Sequence, residues 1–243
     1  MKCFFLFLAA LLLVGCGPKR EKQAATAPRE EARTTPPEAS PVGAPDHRPV
    51  IVAFGDSLSA GFGADPGDSF PDYLQKLLDK NGYSYRVVNQ GISGDTTSGG
   101  VTRLDRAIAL KPEIVILELG GNDGLRGVPV SDIKANLEKM IVRLKKARIH
   151  ILLAGITLPP NYGQEYIRPF DAMYRDLAAR YRLPLIPFLL QGVFEAGLVQ
   201  QDWSHPTAKG NEIVAATVFH ALKPLLASPA RTPASANLPK PHA

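Results

Sequence analysis

An alternation restricts this chain's fold more than any other feature. Strand-like, largely apolar runs recur at 50–54, 85–89, 114–119, 149–156 and 185–188, and helical periodicity fills most of the intervals between them. Phe70, Tyr73, Leu74, Leu77 and Leu78 share one helical stripe, and Val101, Leu104 and Ile108 share the next. Ile133, Leu137, Met140, Ile141 and Leu144 form the clearest stripe, with Ser131 as its expected cap. Phe170, Met173, Tyr174, Leu177 and Tyr181 mark another, and Ile213, Ala216, Thr217 and His220 the last. Strands that are apolar on both faces need cover on both faces, and amphipathic helices between them supply it. The expected class is α/β: a three-layer α/β/α sandwich around a five-stranded parallel sheet, with right-handed crossovers.

Such sheets bind ligands beyond the carboxyl ends of their strands, and there the sequence turns polar and glycine-rich. The first strand runs into "GDSLS" with Ser57, the second into "GISGDT" with Gly94, and the third into "GGND" with Asn122. Beyond the fifth, a longer connection reaches "QDWSHPT" with Asp202 and His205. A serine beside glycine is, alone, only a good turn former. A hydroxyl, a glycine N–H, a side-chain amide, a carboxylate and an imidazole on one sheet edge are the parts of acyl transfer by a serine nucleophile.

Of the five histidines, only His205 has an aspartate three residues before it and a proline just after. Pro206 biases its predecessor away from helical backbone and suits the first position of a following helix. His47 and His242 lie in low-complexity sequence, His150 opens a strand, and His220 is expected on a packed helix face. Asp56 and Asp95 are expected to brace loops through backbone N–H groups. The G-x-S-x-G signature of α/β-hydrolases is missing from the "GDSLS" block. No cluster has metal-ligand spacing, so neither a metal nor a cofactor is expected.

The four blocks resemble those of the SGNH (GDSL) hydrolase superfamily, and most of all its bacterial arylesterase, thioesterase I and lysophospholipase group. "ELGGNDGLRG" (118–127) and "LPPNYG" (158–163) are similar to further stretches of that group, and the resemblance runs over 51–206. It implies the flavodoxin-like SGNH fold and hydrolysis of a carboxylic ester. It makes Ser57 the nucleophile, His205 its base and Asp202 the group that orients the imidazole. The oxyanion hole would use the N–H groups of Ser57 and Gly94 and the side-chain amide of Asn122. Leu158, in the loop 156–170, would line the acyl pocket. The same site serves aryl esters, lysophospholipids or thioesters, and a non-catalytic binding module would keep the same fold. Acyl-chain length is not legible in these residues.

The termini differ in kind. Lys2 precedes an apolar run of eleven residues, 4–14. That run is shorter than the ~20 residues a bilayer span needs and matches a signal-peptide core. "LVGC" then ends at Cys16 and resembles the lipobox of bacterial lipoproteins. The expectation is a signal peptide over 1–15, lipidation at Cys16 and a proline-rich disordered tether over 16–48. The hydrolase domain would fill 49–227, followed by a disordered tail over 228–243. Composition supports the tether: 17–48 holds six prolines and no large apolar cluster, so it buries too little to offset its ordering entropy. Cys3 and Cys16 are the only cysteines, and Cys3 leaves with the signal, so no internal disulfide is possible. The expected place is the bacterial cell envelope, outside the cytoplasm and held to a membrane by the anchor.

The net charge of +5 comes without an arginine-rich run. "RLKKAR" sits at a helix end, where cations complement the helix dipole. Nucleic acid is therefore not an expected partner. A small-molecule or lipid ester and the membrane are, and the chain is expected to be a monomer.

Overall fold

The computed structural model describes residues 46–228. The signal peptide, Cys16 and nearly all of the tether and tail lie outside the described residues. Five strands form one parallel sheet: β1 (Val50–Gly55), β2 (Arg86–Asn89), β3 (Ile114–Glu118), β4 (His150–Ala154) and β5 (Leu185–Ile186). Their order is β2-β1-β3-β4-β5. Val52 at the centre of β1 pairs with Val88 on one side and Val115 on the other.

The helices are α1 (Ser57–Ala60), α2 (Phe70–Lys80), α3 (Thr97–Ala109), α4 (Gly121–Leu125), α5 (Val130–Lys146), α6 (Gln164–Tyr181) and α7 (Ala208–Leu222). Alternate strand residues point to opposite layers, as the pleat requires. Val52, Phe54, Val115, Leu117 and Leu153 pack against Leu104 of α3, Leu137 and Met140 of α5 and Phe170 of α6. Ile51, Ala53, Ile114, Ile116 and Leu152 pack against Leu74 and Leu78 of α2 and Val214 and Val218 of α7. Burial of each such Val, Leu, Ile, Phe or Met side chain contributes about 1.5–3 kcal/mol, so the two apolar layers hold the sheet edges in fixed register. Among the described residues, no helix is long and apolar enough to cross a membrane.

Three local expectations are corrected. Ser131 does not cap α5: the helix begins at Val130, with Pro129 at the capping position and no side-chain cap. Asp132 in the first turn faces the positive helix end instead. The buried face of α7 is Asn211, Val214, Ala215, Val218, Phe219 and Leu222, one position away from the expected stripe, and His220 is exposed rather than packed. The run "IVAATVF" is apolar on more than one face, so contact with α2 chose the stripe. Pro206 is not the first residue of α7. It bridges to Val199, and Thr207 caps the helix by accepting from the Gly210 N–H.

Candidate active site

Sheet order reverses at β1 and β3, and the crevice beyond their carboxyl ends is where an open α/β sheet places its ligand. Both strands run almost directly into a short helix. Asp56 caps α1, its Oδ1 accepting from the Leu58 N–H at 3.0 Å, which puts Ser57 at the first helical position. There its own N–H has no partner within the helix. Asn122 is the second residue of α4.

The connection before α7 brings the remaining groups to Ser57. His205 Nε2 lies 2.7 Å from Ser57 Oγ, and His205 Nδ1 lies 2.6 Å from Asp202 Oδ2. With Nδ1–H donating to the carboxylate, Nε2 is left to accept from the serine hydroxyl. Asp202 also shapes its own turn, accepting at Oδ1 from the N–H groups of Ser204 (3.0 Å) and His205 (3.1 Å). Partial burial pushes its carboxyl up, but the hydrogen bonds from His205 and Ser204 outweigh it and hold the carboxyl below the usual range.

Gln200 fastens this turn. Its side-chain amide donates to the carbonyls of Phe62 (2.7 Å) and Pro206 (2.9 Å), and its backbone N–H donates to the His205 carbonyl at 2.7 Å. The Phe62 ring lies 4.7 Å from the imidazole, centroid to centroid. Neither residue stands out in the sequence, because nothing local marks a contact spanning 138 positions.

Beneath Ser57 lie two buried carboxyls. Asp56 Oδ2 accepts from Asn122 Nδ2 at 3.0 Å. Burial pushes the Asp56 carboxyl up to about 6, against the pull of the Leu58 and Asn122 hydrogen bonds and of nearby His205. Glu118, at the end of β3, accepts at Oε2 from the Ser59 hydroxyl (2.9 Å) and the Asp56 N–H (3.2 Å). Its burial, and then the neighbouring Asp56, push it well above the carboxylate range. Gly55 is the last residue of β1. A Cβ there would lie 2.2 Å from both Glu118 Oε2 and Ser59 Oγ, so glycine admits the Glu118 carboxyl. The sequence signal for Glu118 was present as an acid inside an apolar strand, where burial without a partner is costly.

Asp95 braces its loop as expected, accepting from the Thr96 N–H at 2.9 Å, and also pairs with Arg103 Nε at 2.6 Å. Arg103 stacks on Phe54 and donates to the carbonyls of Gly55 (2.8 Å) and Gln90 (2.7 Å). Gly94 occupies this loop with φ +79°, which favours glycine, and its carbonyl accepts from Arg126 at 3.1 Å.

Ser57, Asn122 and His205 open onto a cavity of about 570 Å³. Ile156, Leu158, Pro159, Phe188 and Leu190 form its apolar wall, whereas Gly94 stands outside that wall. Among the described residues, no group of three or more His, Cys, Asp or Glu side chains is placed to hold a metal.

Sheet order and comparison agree on the class, an SGNH-type hydrolase. Residues 53–213 match the GDSL-like Lipase/Acylhydrolase family, and the chain belongs to that family. It is 43% identical over 179 residues to Esterase TesA of Pseudomonas aeruginosa, covering 73% of this chain and 89% of that protein. It is 36% identical over 179 residues to the Thioesterase 1/protease 1/lysophospholipase L1 of Escherichia coli strain K12, covering 73% and 85%. The crystal structure of AlinE4, an SGNH-hydrolase family esterase, superposes with a TM-score of 0.62 at 44% identity, over 74% of this chain and 98% of that one.

Proposed function

We propose that this chain is a serine esterase that hydrolyses carboxylic esters through Ser57, His205 and Asp202. One observation carries the reading: the unbroken line from Asp202 through His205 to the Ser57 hydroxyl, with contacts of 2.6 and 2.7 Å, ends at an apolar cavity. A serine hydroxyl is a weak nucleophile until a base takes its proton. His205 Nε2 receives that proton as Ser57 Oγ bonds to the ester carbonyl carbon. The carbonyl oxygen becomes an oxyanion facing the Ser57 N–H, the Gly94 N–H and the Asn122 amide. Collapse expels the alcohol, which takes the proton from Nε2. Water then repeats the sequence on the acyl-serine and releases the acid. Asp202, held ionised by its hydrogen bonds, stabilises the imidazolium in both halves.

The apolar wall with Leu158 suits the acyl part of the substrate. The relatives are named as an esterase and as a thioesterase and lysophospholipase. A carboxylic ester or a lysophospholipid fits this chain better than a thioester if Cys16 anchors it outside the cytoplasm, where acyl thioesters are scarce. The envelope location and the anchor belong to the same proposal and rest on the "LVGC" stretch. The test is release of nitrophenol from p-nitrophenyl esters of increasing chain length. Wild type should turn over and Ser57→Ala should not; equal rates would overturn the reading, and the chain-length optimum reports pocket depth.

A further inference from the structure

Large apolar side chains exposed to solvent are few among the described residues, and most gather in one place. Leu125, Phe194 and Trp203 stand at the cavity mouth, exposed by 47%, 41% and 76%. Phe62, 51% exposed, lies against His205 on the same edge. Ile92, 49% exposed, belongs to the Gly94 loop that Arg126 ties down. Scattered exposed apolar residues need no explanation, whereas a cluster around a binding site marks an interaction surface.

Trp203 is the least economical member. It is the chain's single tryptophan and sits between Asp202 and His205. Its φ is +56°, a backbone region that L side chains rarely adopt. Neither packing nor turn geometry calls for an indole there, since a glycine would take this φ freely.

We propose that this rim docks on an anionic lipid surface, so that an acyl chain passes from the lipid into the cavity without crossing water. Three observations choose that occupant. The rim is continuous with the apolar cavity wall, so a surface seated on it extends the same apolar path. Trp203 pairs a large apolar face with an N–H donor, the combination favoured at membrane interfaces. Arg126, exposed beside Leu125 and held on the Gly94 carbonyl, supplies a fixed cation at the rim for lipid phosphates. Docking itself stands on the exposed side chains; only its benefit to turnover rests on the esterase reading.

The single tryptophan makes the test local. The full-length Ser57→Ala chain is titrated with unilamellar vesicles of ether-linked phosphatidylcholine, with and without phosphatidylglycerol. Ether lipids cannot be hydrolysed, and an anchor elsewhere in the chain can hold the protein near a vesicle but cannot bury Trp203. A blue shift of Trp203 emission is expected, together with quenching by brominated acyl chains. The half-saturating lipid concentration should fall when phosphatidylglycerol is present and rise for Phe62→Ser/Phe194→Ser. Arg126→Ser should abolish the phosphatidylglycerol advantage. Emission unchanged by vesicles overturns the proposal. So does a blue shift that follows protein concentration without lipid, which would make a second copy of this chain the occupant. Wild-type hydrolysis of a monomeric short-chain ester is measured in parallel. If it is absent while Trp203 still shifts, the esterase reading fails and docking stands; if it is present while Trp203 stays wet, the reverse holds.

Discussion

The Asn122 side-chain amide donates to the buried Asp56 carboxylate at 3.0 Å. The residue before Ser57 thus holds the amide proposed for the oxyanion, across an interval of 66 positions. An amide nitrogen carries two hydrogens, so one satisfies Asp56 and the other remains for substrate.

Removing Asn122 as a donor should lower kcat by about 10²–10³. Asp56→Ala leaves the donor present but unaimed and should cost up to about 10² in kcat with little change in KM. The double variant should be no slower than Asn122→Ala alone, because both changes remove one function. Initial rates on one p-nitrophenyl ester check this; strictly additive losses would separate the two residues.

Burial raises the Asp56 carboxyl from 3.8 to about 6. A folded-state pKa above the unfolded one contributes stability that is fully present below 3.8 and is lost as pH rises through about 6. Asp56→Asn has no such proton to lose. Its stability relative to wild type should improve across that window, by at most about 1.4 kcal/mol per pH unit. Urea midpoints for both proteins between those pH values measure it. A wild type that instead gains on the variant with rising pH would show that the carboxylate is the favoured form.

His205→Ala should lower kcat by at least roughly 10³. His150→Ala and His220→Ala should retain most of it, since both side chains are exposed and neither belongs to the site. The opposite pattern in steady-state rates would move the base elsewhere.

Thr97 ties α3 to the α4 turn. Its hydroxyl donates to Asp123 Oδ1 at 2.6 Å and its N–H to Oδ2 at 2.8 Å, both buried. Thr97→Val keeps the volume but leaves a buried carboxylate oxygen without its donor, and should cost about 1–3 kcal/mol in urea unfolding. A loss near zero would mean that the carboxylate finds another donor.

Cys16→Ser should move the chain from the membrane fraction to the soluble one, or block its processing. Unchanged fractionation and unchanged processing would remove the lipid anchor from the proposal.

The apolar alternation was enough to fix the three-layer architecture, because a strand with two apolar faces has few other ways to bury them. That Ser57, Asn122 and His205 meet at one cavity, with Asp202 behind the imidazole, was foreshadowed too, since polar and glycine-rich blocks after apolar strands stand out along the chain. What stayed hidden depended on contacts between distant segments. Glu118 and Asp56 are two acids in different blocks until β1 and β3 pair and bury them side by side. The need for glycine at 55 shows only once Glu118 occupies the space beside it. Gln200 acquires its role only when α1 and the turn before α7 meet, and the buried face of α7 was chosen by α2, not by its own periodicity. Local pattern determines which elements form. Proximity within the folded core decides which polar groups lose water together, and so which hydrogen bonds and protonation states the site holds.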